Sequence, residues 1–249
     1  MDEIRKALKS FEIVKLSDIN NVRLMNRIDT KYCLNKSMLP AILNDIDADY
    51  FVLEIQNELL HPYQTTYLDT PDDKMYLAHQ NGWLNRHKVR VRKYELSNDK
   101  FLEVKFKTNK GRCIKSRIGF QKDKIDFTDE EKKFLNQKMP YHPAGLEPKI
   151  KNWFRRITLV NKGFTERVTI DIHPSFKNEK GEILLRNLVI VEIKQKRSAQ
   201  TSEIKKVLKK NRVRLQRFSK YCIGRALLEG GLKQNRFKSR IMRLQNEFN

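Results

Sequence analysis

Residues 86–117 read RHKVRVRKYELSNDKFLEVKFKTNKGRCIKSR. The stretch divides into three short strands, each with charge on one face and apolar side chains on the other. In the first, Arg86, Lys88, Arg90 and Arg92 alternate with Val89 and Val91. In the second, Glu103, Lys105 and Lys107 alternate with Leu102, Val104 and Phe106, and in the third Lys115 and Arg117 alternate with Ile114 and Ile118. Strand side chains point to opposite faces with period two, so each strand carries one cationic face. Ser97-Asn98-Asp99 and Asn109-Lys110-Gly111 have hairpin-turn composition, which makes the three strands neighbours and brings those faces together.

Two like charges about 4 Å apart repel by roughly 4 kcal/mol at an effective dielectric near 20. Like charges directly across a strand pair destabilise it. A single strand of this kind is satisfied by water and salt on a solvated face. A sheet that repeats the pattern strand after strand has a simpler explanation, a polyanion that sits among those side chains.

Outward from this stretch, residues 2–10 form a helical pattern with Ile4, Leu8 and Phe11 as its stripe. Residues 27–34 alternate, with Arg27, Asp29 and Lys31 on one face. Ser37 is expected to cap a helix running to about Asp47. Tyr50–Leu59 and Gln64–Asp69 read as strands, and Pro71 is expected in the first turn of a helix that Gly82 ends. Thr128 precedes three acids that suit the positive end of a helix dipole. Further strands follow around 154–160, 165–172 and 188–194, then helices over Thr201–Lys210 and Ser219–Glu229. From Gly230 onward Lys and Arg recur as a terminal helix or mobile basic tail.

About eight strands with three to five helices, and no Pro/Gly/Ser-rich linker, predict one domain. Eight strands close naturally into a barrel. If the apolar faces meet flanking helices, the charged faces point inward. The expected fold is therefore α+β: an eight-stranded antiparallel β-barrel tunnel with a charged interior, over residues 1–230, followed by a basic segment at 231–249.

The net charge of +22 over 249 residues points to phosphate-rich partners. No apolar run reaches the ~20 residues of a membrane helix, and MDEIRKALKSFE is not a signal peptide. Cys33, Cys113 and Cys222 form no CxxC pair, which fits a reduced cytoplasmic protein. The histidines lack HxxxH or HExxH spacing, so no zinc site is expected.

The chain resembles the VTC domain, the polyphosphate-polymerase branch of the triphosphate tunnel metalloenzymes. The matching motifs, in order, begin with RIDTKY (27–32), YLDTP (67–71), Tyr76-x-x-His79-x-x-Gly82, RVRKY (90–94) and LEVKFK (102–107). KSR (115–117), FRR (154–156), RVTID (167–171), VEIK (191–194) and SKY (219–221) follow. The resemblance implies a tunnel that transfers the terminal phosphate of ATP to a growing polyphosphate chain and needs Mn²⁺ or Mg²⁺. It implies phosphate ligands at Arg27, Lys31, Arg90, Arg92, Lys105, Lys115, Arg117, Arg156, Arg167, Lys194 and Lys220, with Ser219 beside the last. Of these, Arg90, Arg92, Lys105, Lys115, Arg156 and Lys220 are expected to act on the transferring phosphate. Glu192 matches the metal-binding glutamate. Glu103 is expected either to hold metal or to neutralise Lys105, while Asp29 and Asp171 are weaker candidates that also read as structural ion-pair partners.

Two departures matter. The broader family's ExExK strand is here Arg27-x-Asp29-x-Lys31, which fits the VTC branch rather than a two-metal phosphatase. Phe154 stands where related sequences often carry Tyr. The expected partners are ATP, polyphosphate, inorganic phosphate or pyrophosphate, with a separate membrane protein if synthesis is coupled to transport. A hydrolase in the same tunnel and a non-catalytic polyanion binder remain as alternatives. No RNP-type aromatic sheet, KH loop or zinc knuckle marks a specific nucleic-acid ligand.

Overall fold

The computed structural model describes residues 1–19, 27–196 and 201–248. In chain order the first half comprises α1 (Asp2–Leu8), β1 (Glu12–Lys15), α2 (Leu16–Ile19), β2 (Arg27–Asn35), α3 (Leu39–Asn44), β3 (Tyr50–Glu54), β4 (His61–Asp69), α4 (Lys74–Gln80), β5 (Arg86–Tyr94), β6 (Lys100–Lys107) and β7 (Cys113–Gly119). The second half comprises α5 (Asp129–Lys138), β8 (Glu147–Asn161), β9 (Glu166–Asn178), β10 (Gly181–Leu184), β11 (Leu188–Lys196), α6 (Glu203–Lys210), α7 (Lys220–Leu228) and α8 (Lys238–Phe248).

Eight antiparallel strands follow the order β2-β11-β9-β8-β4-β5-β6-β7 and curl into a half-barrel. Among the described residues, β2 and β7 end the path and do not pair with each other. The short strands β1, β3 and β10 attach to its flanks, β1 running parallel to β3. Alternation in sequence becomes two-faced strands here. Val89, Val91, Leu102 and Val104 turn outward onto Phe120, Phe127 and Leu135, the last from α5. Ile157, Val168, Ile170, Val191 and Ile193 turn outward onto α1, α3 and α6. Burying each such side chain contributes roughly 1.5–3 kcal/mol, so the charged faces are left for the concave side.

The third apolar cluster differs. It joins Tyr221, Cys222 and Ile223 of α7 and Ile241, Leu244 and Phe248 of α8 to Tyr67, Cys33 and Ile190 of the sheet. Tyr67 is the ladder partner of Arg90 and so shares its concave face, which places α7 across one end of the half-barrel. A side chain at Gly224 would place its Cβ 2.3 Å from the Phe176 ring, so glycine permits this close approach.

Three local expectations are corrected. Ser37 is not a cap: Asn35 accepts its backbone N–H at 3.1 Å and opens a short turn, and α3 starts with Pro40 in its first turn. The helix expected from Pro71 begins at Lys74, because Asp73 adopts a left-handed conformation with φ of 59°. Asp69 satisfies the exposed amides instead, accepting from Met75 at 2.9 Å and Tyr76 at 2.8 Å. The strand expected over Tyr50–Leu59 ends at Glu54, since Gln56 and Asn57 turn the chain with positive φ. By contrast Thr128 and Glu131 form the reciprocal capping box that opens α5. No helix among the described residues is long and apolar enough to cross a membrane.

Candidate functional site

The ladders set which side chains share the concave face. Arg90 lies opposite Glu103, which lies opposite Arg117; Lys88 lies opposite Lys105, which lies opposite Lys115. On the other flank, Arg156 faces Asp171, Arg167 faces Lys194, and Lys194 faces Asp29. Glu192 faces Lys31. The side chain of Arg27 lies outside the described residues, although its backbone pairs with Lys196.

Three carboxylates on this face each bridge two cations. Glu103 joins Arg90, at 2.7 Å, to Lys115. Asp171 takes Arg156 as a fork, Nε to Oδ1 at 2.6 Å and Nη2 to Oδ2 at 2.9 Å, and also pairs with Lys220 from α7. Glu192 joins Lys194, at 2.7 Å, to Lys31. Of the two roles expected of Glu103, holding metal or neutralising Lys105, the second pairs it with a residue two along its own strand. The structure corrects this, because the antiparallel ladder puts Arg90 and Arg117 beside it and Lys115 within reach.

Each bridge leaves a net positive charge, and further cations stand beside the bridges. Among the described residues Lys88, Arg92, Lys105 and Arg117 form no ion pair. Lys88 donates to the Ser219 hydroxyl at 2.8 Å. Arg92 donates to Thr65 at 3.3 Å and lies over Tyr63 at 5.6 Å. Arg117 stacks on Phe101 at 4.4 Å. Phe154 and Tyr63, stacked 5.4 Å apart, form an aromatic floor under Lys220 and Arg156. Phe154 thus has a place as a packing surface that requires no hydroxyl.

Burial sets the electrostatics. It pulls the Lys115, Lys194 and Lys220 ammonium groups down to about 8, against the pull of Glu103, Glu192 and Asp171 respectively. Burial and neighbouring Lys105 and Arg86 also lower Lys88. For Glu103 burial favours the neutral acid, but Arg90, Arg92 and Lys115 outweigh it and hold the carboxyl at about 2. Asp171 and Glu192 are likewise held below the usual carboxylate range, by Arg156 with Lys220 and by Lys194 with Lys31. The charge of Lys105 on β6 also acts on Glu192 of β11, so the curl brings the two flanks within electrostatic reach.

The family model of the VTC domain matches residues 26–229, most of the chain. The chain belongs to the VTC domain family. Among solved structures it is similar to a candidate adenylate cyclase from Vibrio parahaemolyticus, at 14% identity and TM-score 0.46, covering 78% of this chain and 94% of that one. A candidate adenylate cyclase from Bacillus halodurans matches at 12% identity and TM-score 0.49, over 78% and 94% of the two chains. A candidate adenylyl cyclase from Hippeastrum, described as having a dominant triphosphatase activity, matches at 11% identity and TM-score 0.49, over 80% and 95%. No curated protein matches.

In this VTC domain α7 brings its own share of the site. Ser219 is its N-cap, accepting from the Cys222 amide at 3.3 Å and from Lys88, which leaves the hydroxyl proton to donate. Asp69 holds the helix in place by accepting from the Tyr221 hydroxyl. Arg167 reaches the Ile19 carbonyl at 3.4 Å while facing Lys194 in the ladder. Sequence reasoning left Lys88 out of the ligand set although it shares the parity of Arg90. Tyr63 and Phe101 carried no signal until the ladders placed them beside arginines.

The resemblance to the triphosphate tunnel metalloenzymes implies a divalent metal. Among the described residues no three His, Cys, Asp or Glu side chains gather into a ligand group. A cation that shares one carboxylate with phosphate oxygens is the usual way Mg²⁺ is held on phosphates. Glu192 and Glu103 are the candidates for that position, and each already pairs with two cations, Glu192 with Lys194 and Lys31 and Glu103 with Arg90 and Lys115.

The depressed lysines give a pH prediction. Their folded values near 8 lie below the ordinary lysine value of about 10.4. Between these limits the unfolded chain binds more protons, so these groups make stability rise as pH increases from 8 toward 10. The three carboxylates act at the other end, contributing stability above about pH 4 that is lost as pH falls and they protonate. A bound polyanion favours the protonated lysines, so binding tripolyphosphate at pH 8 should shift these groups toward proton uptake, and less so at pH 7. Calorimetry in buffers of different ionisation enthalpy reads this directly, and equal heats in all buffers would contradict it.

Proposed function

We propose that this protein is a metal-dependent polyphosphate polymerase, which transfers the γ-phosphate of ATP to the end of a polyphosphate chain held on the concave face. The observation that carries the reading is the pattern of three carboxylates, each bridging two cations, beside four cations that form no ion pair among the described residues. Phosphoryl transfer needs positioning and cancellation of charge on non-bridging oxygens more than covalent help. The carboxylates hold Arg90, Lys115, Arg156, Lys220, Lys31 and Lys194 in fixed positions, and Arg92, Lys88, Lys105 and Arg117 are left to meet phosphate. Arg supplies a planar fork for two oxygens and Lys a point charge. A divalent metal at Glu192 would add charge neutralisation on phosphate oxygens; Lys31 and Lys194 position that carboxylate.

The acceptor follows from basicity. Hydrolysis benefits from a base that takes a proton from water. Glu103, Asp171 and Glu192 are poor bases, because two cations hold each of them ionised. A terminal phosphate oxygen is already anionic and needs no such base. That favours chain extension over water attack.

The test is incubation of the purified protein with ATP and Mn²⁺, with products resolved on a polyphosphate gel and ADP and phosphate quantified. A ladder with stoichiometric ADP and little free phosphate is expected. Phosphate or tripolyphosphate release without a ladder would replace the polymerase by a hydrolase.

A further inference from the structure

The surface around the α7 end of the half-barrel is not explained by the concave site. No Asp or Glu occurs in residues 74–94, 104–122, 204–228 or 230–246, and the fold brings parts of all four segments together. The Asn109 amide of the β6–β7 turn donates to the Asn85 side chain at 2.8 Å, beside β5. Arg240 of α8 donates to the Arg217 carbonyl at 3.1 Å. The Arg236 guanidinium fills the space over Gly82, where a Cβ would lie 1.6 Å from Nη1. Arg217 lies close enough to Arg86, Lys107 and Arg240 to disfavour their charged forms, after burial.

Large apolar side chains stand in this cationic field. Trp83 and Leu84, adjacent in the loop between α4 and β5, are 61% and 65% exposed. The loop is held in shape, since Arg86 donates to the Trp83 carbonyl at 2.8 Å. A phosphate chain or nucleic-acid backbone would use the cations and leave these side chains in water. A bilayer surface uses both: anionic headgroups attract juxtaposed Lys and Arg, while Trp and Leu enter the headgroup–acyl boundary.

We infer that this rim docks onto an anionic bilayer surface, with Trp83 and Leu84 inserted and Arg217, Arg236, Lys110 and Arg112 on lipid headgroups. The α7 end of the half-barrel then faces the membrane. Nothing in this inference depends on the reaction carried out on the concave face.

The experiment is co-sedimentation of the full chain with vesicles of phosphatidylcholine plus phosphatidylglycerol, and of phosphatidylcholine alone, at physiological ionic strength, with tryptophan emission recorded. Binding to the anionic vesicles only, with a blue shift, is expected. Trp83→Ser with Leu84→Ser should weaken partition about tenfold and abolish the shift. Lys110→Glu with Arg112→Glu should also weaken it about tenfold. Circular dichroism melting should be unchanged in both, because the altered side chains are exposed. Undiminished binding of the Trp83/Leu84 variant would overturn the inference. So would the absence of vesicle binding, or binding that soluble tripolyphosphate removes with no emission shift, which would mark a contact for phosphate chains only.

Discussion

Arg90→Ala combined with Arg92→Ala is expected to lower ATP turnover by about 10³-fold or more, since loss of one preorganised donor commonly costs about 10²–10³. The two arginines do different work, and the structure separates them. Arg92 has no ion pair among the described residues, donating to Thr65 at 3.3 Å. Arg92→Ala alone should therefore remove a phosphate fork with little loss of fold, and Arg92→Lys should restore only part of the activity, because the fork is gone. Arg90 is different. Its guanidinium holds Glu103, whose side chain is 1% exposed. Arg90→Ala leaves that carboxylate buried with Lys115, and removing one partner of a buried pair typically costs about 3–5 kcal/mol. The double variant should be both inactive and less stable. Glu103→Gln introduced alongside should recover stability while leaving turnover low. The measurements are ATP affinity, turnover and thermal melting on wild type and each of these variants; ATP affinity unchanged in Arg92→Ala would remove that side chain from the phosphate site.

The concave face was legible because it rests on parity. Arg90, Lys105 and Arg117 share a face for a reason local to each strand, and hairpin turns fix their order, so no distant contact was needed to place them. Partner choice was not legible. Whether Glu103 meets Lys105 or Arg90 is decided by register across the ladder, and Asp171 meets Lys220 only because α7 crosses the open end of the half-barrel. The aromatic floor of Tyr63 and Phe154 depends in the same way on β4 pairing with β8, strands far apart in sequence. Pro71 misled because proline suits both a turn and a first helical turn; the Asp69 carboxylate, accepting from Met75 and Tyr76, sets the start of α4. The basic C-terminal run gave no clue to its packing until Ile241, Leu244 and Phe248 were seen against α7.

Glu192→Gln is expected to lower metal-dependent turnover by about 10²-fold or more, the scale of losing a preorganised charge contact in a water-excluded site. The substitution keeps the shape and removes the charge that holds Lys194 and Lys31. Without it the Lys194 ammonium, already pulled to about 8 by burial, has still less reason to stay protonated at neutral pH. Two consequences follow that separate a metal ligand from a mere neutraliser. If Glu192 holds metal on phosphate, the variant should need far more Mn²⁺ for any turnover, while metal-free tripolyphosphate affinity is preserved, because the face has lost a negative charge. If Glu192 only neutralises its lysines, the Mn²⁺ requirement should be unchanged and the pH profile of turnover should move instead, following Lys194. Titrating Mn²⁺ at several pH values on wild type and Glu192→Gln resolves the two. A variant with wild-type activity and wild-type Mn²⁺ dependence would take the metal away from Glu192 and leave the three bridged carboxylates as purely electrostatic scaffolding for the cations around them.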